Sequence, residues 1–178
     1  MDDFLSRAMV YVKATQRDGE PSVVVAADES SPVLRPVAEG IALAYVVDEP
    51  DGLVFIQKRH LLAAGMSDVE LHLLAMKNLG QLCADQLQVK KHGLIYGIYL
   101  EGNFEASLFV LQSLWKRDLA HLVDRGFAIC LPARDILAFC DIDSIEGVAT
   151  LKQMVDKVFE SGDHLLSKNI FKLVKAKL

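Results

Sequence analysis

The chain has 178 residues, 52% of them hydrophobic, and its 24 acidic and 19 basic side chains give a net charge of −5. A chain of this length and apolar content can bury a core of its own, which excludes a disordered tail, a collagen-like fibre and a cystine-dependent scaffold. The acidic balance argues against a general grip on nucleic acid or anionic membranes, while an apolar share just above the usual range of about 45–50% leaves room for an exposed apolar face used in self-association.

In chain order, the apolar positions Phe4, Leu5, Ala8, Met9 and Val12 follow a helical period and predict a first helix over 2–16. Valine-rich Ser22 to Ala27, the turn formers Asp28 to Pro32, and Val33 to Val37 predict a hairpin. Ile41 to Val47 and Leu53 to Gln57 predict a second, joined through Asp48-Glu49-Pro50-Asp51-Gly52. Ser67 and Glu70 have the spacing of a capping box and open a helix running to about Gln86. At 100° per residue its polar stripe is Glu70, Lys77, Gln81 and Asp85, and its inward side is Val69, Leu73, Met76, Leu79 and Cys83.

Leu87 to Leu111 reads as strands, with Leu94 to Leu100 and Ala106 to Leu111 flanking a turn at 101–105. Trp115, Leu119 and Leu122 predict a short helix closed by Gly126. Phe127 to Leu131 and Ile136 to Cys140 form a strand pair around Pro132-Ala133-Arg134-Asp135. Asp143 and Glu146 cap a further helix that stops at Ser161-Gly162, with Val148, Leu151, Val155 and Val158 inward. Ile170 to Val174 reads as a final strand, although Lys172, Lys175 and Lys177 fit a continued helix equally well. Antiparallel hairpins alternating with three to four helices predict a single compact α+β domain over 1–178, with an N-terminal helix and hairpin over 1–40 and a C-terminal helix and strand over 143–178.

No dinucleotide fingerprint, P-loop, HExxH, EF-hand or GxSxG sequence is present, and neither a cofactor nor a metal is expected. The five histidines pair with no other ligand type at metal-binding spacing. Cys83, Cys130 and Cys140 sit in apolar stretches and read as buried, reduced thiols. The Asp2-Asp3 opening lacks the basic start of a signal peptide, and the longest apolar runs are too short to span a bilayer, so a soluble cytoplasmic protein is expected. Residues 1–51 hold ten acidic and four basic side chains, a solvated face or a surface for a basic partner.

A few polar residues stand out. His72 falls inside the apolar side of its helix, where an imidazole either bonds a neighbouring backbone group or carries protons. Asn78 lies at the border of that side, suited to tying the helix to an adjacent strand or loop. Glu105 and Ser107 would share one strand face; with no tight elbow around it, Ser107 suits hydroxyl-to-backbone bonding better than nucleophilic attack. Arg134 between two apolar strands is placed to clamp a carboxylate or phosphate, unless Asp135 neutralises it or caps the turn.

Taken in order, Tyr45-Val46-Val47-Asp48, Phe55-Ile56, Gly65 to Leu71 with Ala75-Met76-Lys77-Asn78-Leu79, Glu105-Ala106-Ser107 and Pro132-Ala133-Arg134-Asp135 resemble the motifs of the YtpQ-like family of bacterial proteins. The resemblance covers about residues 41–142, and the chain's N-terminal part is abbreviated against those members. It implies a cytoplasmic bacterial protein, supplies no reaction, and singles out Asp48, Asn78, Ser107, Arg134 and Asp135. The expectation that follows is a non-catalytic binding or interaction domain with an unknown protein partner or a second copy of itself. The alternative is a small hydrolase or anionic-metabolite-binding enzyme using Arg134 with Glu105, Asp135 or His72.

Overall fold

The computed structural model describes residues 3–15, 28–100 and 102–175. The protein has an α+β architecture whose described strands all pair antiparallel, as the hairpin pattern predicts. Its backbone divides into two compact units, Met1–Ala84 and Asp85–Leu178.

In the first unit, α1 (Asp3–Ser6) leads into β1 (Met9–Ala14), followed by β2 (Leu34–Ala38), β3 (Ile41–Glu49), β4 (Gly52–Phe55), α2 (Lys58–Ala64) and α3 (Asp68–Gln86). The helix expected over 2–16 therefore ends after about one turn. Val10, Tyr11 and Val12 are consecutive, buried, and β-branched or aromatic, and such a short apolar run fits a strand covered on both faces as well as a helix. Pairing with β3 from Met9↔Val46 to Ala14↔Ile41 decides between them.

β3 is the centre of this sheet. Val46 pairs with Met9 of β1 and with Phe55 of β4, so β1 and β4 lie on its opposite edges. The β3–β4 hairpin matches its turn residues. β2 pairs with β3 through Leu34↔Ala44, and it carries Pro36 next to a register shift, as suits a strand whose other edge needs no ladder donor. The arm expected over Ser22 to Ala27 lies outside the described residues.

The capping box of α3 forms as its spacing predicts: Glu70 N–H donates to Ser67 Oγ at 3.3 Å, and Ser67 N–H donates to Glu70 Oε2 at 2.8 Å. Its inward face is rotated from the expected one. The buried seam is Leu71, Ala75, Leu79 and Cys83, whereas Val69 is 60% and Leu73 65% exposed. Asn78 Nδ2 donates to the carbonyls of Ser6 at 3.0 Å and Ala8 at 2.8 Å, and His72 Nδ1 lies 3.0 Å from the Tyr45 hydroxyl on β3. At about 100° per residue, Asn78 falls just beside Leu71 and His72 between Leu79 and Cys83, so these two polar anchors hold the seam inward.

The second unit is a five-stranded sheet of β5 (Gln88–His92), β6 (Ile95–Tyr99), β7 (Gly126–Ala133), β8 (Ile136–Asp141) and β9 (Ile170–Val174), in the order β5-β6-β8-β7-β9. Pairing with β7 settles the last segment as strand rather than helix. One face is covered by α4 (Ile145–Ser161), whose Leu151 and Val155 pack with Ala128, Cys130, Ala138 and Cys140. The N-cap of α4 is Ser144, which accepts from Gly147 N–H; Asp143, expected in that role, stands one residue too early.

Two further expectations are corrected in this unit. Ala106 to Leu111 is no strand: Ala106–Val110 is a 3-10 helix, followed by a π-helical turn at Leu114–Asp118 and a second 3-10 turn at Ala120–Leu122. Phe104, Ala106, Leu108, Leu111, Leu114 and Trp115 are all buried, and a segment so apolar has no clean period from which to choose an element. Trp115 packs edge-on against Phe127 at 5.2 Å and Phe139 at 5.7 Å, on the side of the sheet that alternation places opposite α4. Gly126 opens β7 instead of closing a helix. Its φ is 152°, and a Cβ there would run into the Leu173 carbonyl of β9.

Because the seam of α3 is set by Leu71, Leu71→Ala is expected to cost about 2–5 kcal/mol in chemical denaturation, against within about 0.5 kcal/mol for the exposed Leu73→Ala. Equal losses at the two positions would contradict the observed rotation.

Candidate functional site

The tight β7–β8 connection closes at Ala133↔Ile136 and leaves Arg134 and Asp135 at its tip. The backbone of Arg134 is held on both sides, its N–H donating to the His164 carbonyl at 3.2 Å and its carbonyl accepting from Ala106 N–H at 3.0 Å. Leu166 N–H donates to the Pro132 carbonyl at 2.8 Å and extends the contact with the segment after α4. The tip forms one wall of an open groove of about 390 Å³ whose charged and titratable lining is Arg134, Asp135, Lys157, Asp163 and His164.

His164 sits at φ 50°, a left-handed conformation uncommon outside glycine, though histidine adopts it more readily than most residues, and its Nε2 lies 3.3 Å from Asp163 Oδ2. Among the described residues no ion pair joins Arg134 to Asp135. The guanidinium, half-buried, is thus free to receive an acceptor, with the Lys157 ammonium on the same lining. Lys157, Asp163 and His164 are not signalled by the sequence, because only the packing of α4 and the return of the chain after it bring them to Arg134.

Glu105 and Ser107 are near this turn through the backbone alone. Glu105 precedes the 3-10 helix and is 3% exposed; its Oε1 accepts from Leu100 N–H at 2.9 Å and Gly102 N–H at 2.8 Å, which pins the loop. Ser107 is buried on the next turn of the chain, and neither residue lines the groove. Their expected common strand face does not exist, since the segment is helical. Bonded through Oε1 alone, with Oε2 buried and without a partner among the described residues, Glu105 pins the loop, and Ser107 is a buried hydroxyl outside the groove.

Asp48, Asn78 and His72 belong to the first unit. Asp48 is exposed near the end of β3, opposite Leu53. Asn78 performs the tie described above, with both amide hydrogens used on backbone carbonyls. His72 faces the Tyr45 hydroxyl, with Arg35 of β2 and Asp68 of α3 as the charges bearing on the pair. Burial, aided by Arg35, holds the imidazole below its usual 6.5, and burial pushes the Tyr45 phenol above 10.0. A neutral imidazole can accept the phenol proton, whereas a protonated ring would turn Nδ1 into a donor and reverse that bond. None of the three cysteines is in a disulfide, and all three are buried, as expected. Burial raises Cys130 to about 12 and Cys140 to about 11, so neither is a reactive thiolate near neutrality.

Among the described residues no group of three or more His, Cys, Asp or Glu side chains is arranged to hold a metal ion, and no helix is long and apolar enough to cross a membrane. Comparison with family models, curated proteins and solved structures gives no match.

The Tyr45–His72 pair ties stability to pH at both ends. Because the folded state binds a proton at His72 less readily than the unfolded chain, stability falls as pH drops below about 6.5, and because it resists losing the Tyr45 proton, stability falls again above about 10. Denaturation midpoints across pH should lose the slope below about 6.5 in His72→Gln and only part of the alkaline slope in Tyr45→Phe, because the buried Cys130 and Cys140 thiols supply the rest; unchanged slopes would contradict the assignment.

Proposed function

We propose that the protein is a non-catalytic interaction module whose docking face is the outer side of α3, with a second copy of the chain as the occupant. The observation that carries this reading is the pair Val69 and Leu73, one helical turn apart and both more than half exposed. Half-buried Met76 continues the same stripe one turn further on. The helix thus has two apolar faces, of which its own unit covers one. The use of Asn78, His72, Glu105 and Ser107 in local hydrogen bonding or burial supports a binding role over a catalytic one. The cytoplasmic, bacterial setting implied by the YtpQ-like resemblance belongs to the same proposal.

Sedimentation velocity at micromolar concentration tests it. The expected wild-type species has twice the 19.7 kDa chain mass, and Val69→Asp with Leu73→Asp returns it to a single chain without loss of folding. A wild-type protein that sediments as one chain overturns the proposal.

A second reading has its own observation, the Arg134 guanidinium, which no ion pair holds among the described residues, in a groove shared with Lys157. It makes the groove a site for a small anion, with Asp135 and Asp163 limiting the charge it accepts. Citrate or phosphate at millimolar concentration should then raise the melting temperature of the wild type by mass action and leave Arg134→Gln unmoved. An equal response in both proteins removes this reading.

A further inference from the structure

On the second unit's other face, away from the Arg134 turn, the irregular segment between β6 and β7 and the edge strand β9 enclose a groove of about 280 Å³. Phe109 of the 3-10 helix and Phe171 of β9 meet ring to ring at 5.0 Å and form one aromatic wall. Leu173 extends that wall, and Trp115, buried, lies behind it with its indole N–H already donated to the Phe109 carbonyl at 2.9 Å. The apolar lining therefore leaves no side-chain donor or acceptor of its own to satisfy.

Polar groups gather at one place. Lys116, next to Trp115 on the π-helical turn, is exposed, and its Nζ donates to Gln112 Oε1 at 3.0 Å. An ammonium has three donors, so two remain for a ligand. Lys172 also borders the groove, but alternation along β9 sends its side chain away from that of Phe171, and Lys116 is the charge that counts. Among the described residues no carboxylate lines the groove, although the chain as a whole is acidic. The π-helical turn is a second observation. Such turns are rare, they often stand at functional sites, and this one sets an apolar ring and a cation side by side.

We infer that this groove binds a small amphipathic monocarboxylate, with a short acyl chain or single ring against Phe109, Trp115 and Phe171 and its carboxylate on Lys116 and Gln112. An apolar body with a few convergent polar groups is the usual make-up of a ligand site, and a volume just below the common range of about 300–1,000 Å³ restricts it to small ligands. This inference goes beyond the helix-face docking proposed above and does not depend on it.

Trp115 is the chain's only tryptophan, so its emission reports directly on the groove. Octanoate titrated into the full chain below its aggregation range is expected to change that emission saturably, with one site per chain. Octanol, which keeps the apolar tail and lacks the carboxylate, should bind about tenfold more weakly, and Lys116→Gln should weaken octanoate by about tenfold while leaving octanol unchanged, the scale of one charge-assisted hydrogen bond. Lys116 is exposed, so the variant folds as the wild type does. A non-saturable or absent change in emission overturns the inference, as does equal binding of octanol and octanoate, or undiminished octanoate binding by Lys116→Gln.

Discussion

Each of the two units is organised by one strand that has no solvent face. Ile41 to Val47 of β3 and Gly126 to Ala133 of β7 are buried at every position, so the alternation of a half-exposed strand is absent and cover is needed on both sides. Both strands also have neighbours on both edges, which satisfies the backbone groups that water cannot reach. The remaining elements are arranged by what this demands: α4 over one face of β7, the 3-10 and π segment over the other, and β1 with β2 and β4 flanking β3.

Covering such strands forces polar groups into the interior, and each must find a partner there. The Tyr45 hydroxyl meets His72, the Trp115 indole meets the Phe109 carbonyl, and Glu105 takes two loop amides on one oxygen, although its other oxygen, Oε2, is buried with no partner among the described residues. Several residues with chemical potential are spent in this way. What is left for recognition stands at the periphery: the outer side of α3, the Arg134 tip, and the aromatic groove beside β9. A chain so constituted is better equipped to bind than to catalyse.

Legibility in the sequence followed the length and regularity of each signal. The β3–β4 and β7–β8 hairpins were readable because turn formers separate unbroken apolar strands, and α3 because Ser67 and Glu70 announce its start. Met9 to Ala14 reads as helix because the short apolar run Met9 to Val12 satisfies two periods at once, and Ala106 to Val110 reads as strand because it satisfies none clearly. Of the candidate residues, Asn78 serves the tie that its border position suggested, and Arg134 and Asp135 share a groove. Glu105 and Ser107 lost their common face along with the strand that was to create it.

By itself the sequence determined the α+β class, the β3–β4 and β7–β8 hairpins, the capping box of α3 and the buried character of the cysteines, because these depend on residue types within a few positions of one another. Long-range contact decided the rest. The rotation of α3 depends on carbonyls of Ser6 and Ala8 some seventy residues away, and the lining of the Arg134 groove on the return of Asp163 and His164 after α4. The aromatic groove requires Phe109 and Phe171 to meet from distant parts of the chain. No local pattern encodes such meetings; they exist only once the buried strands have drawn their covers into place.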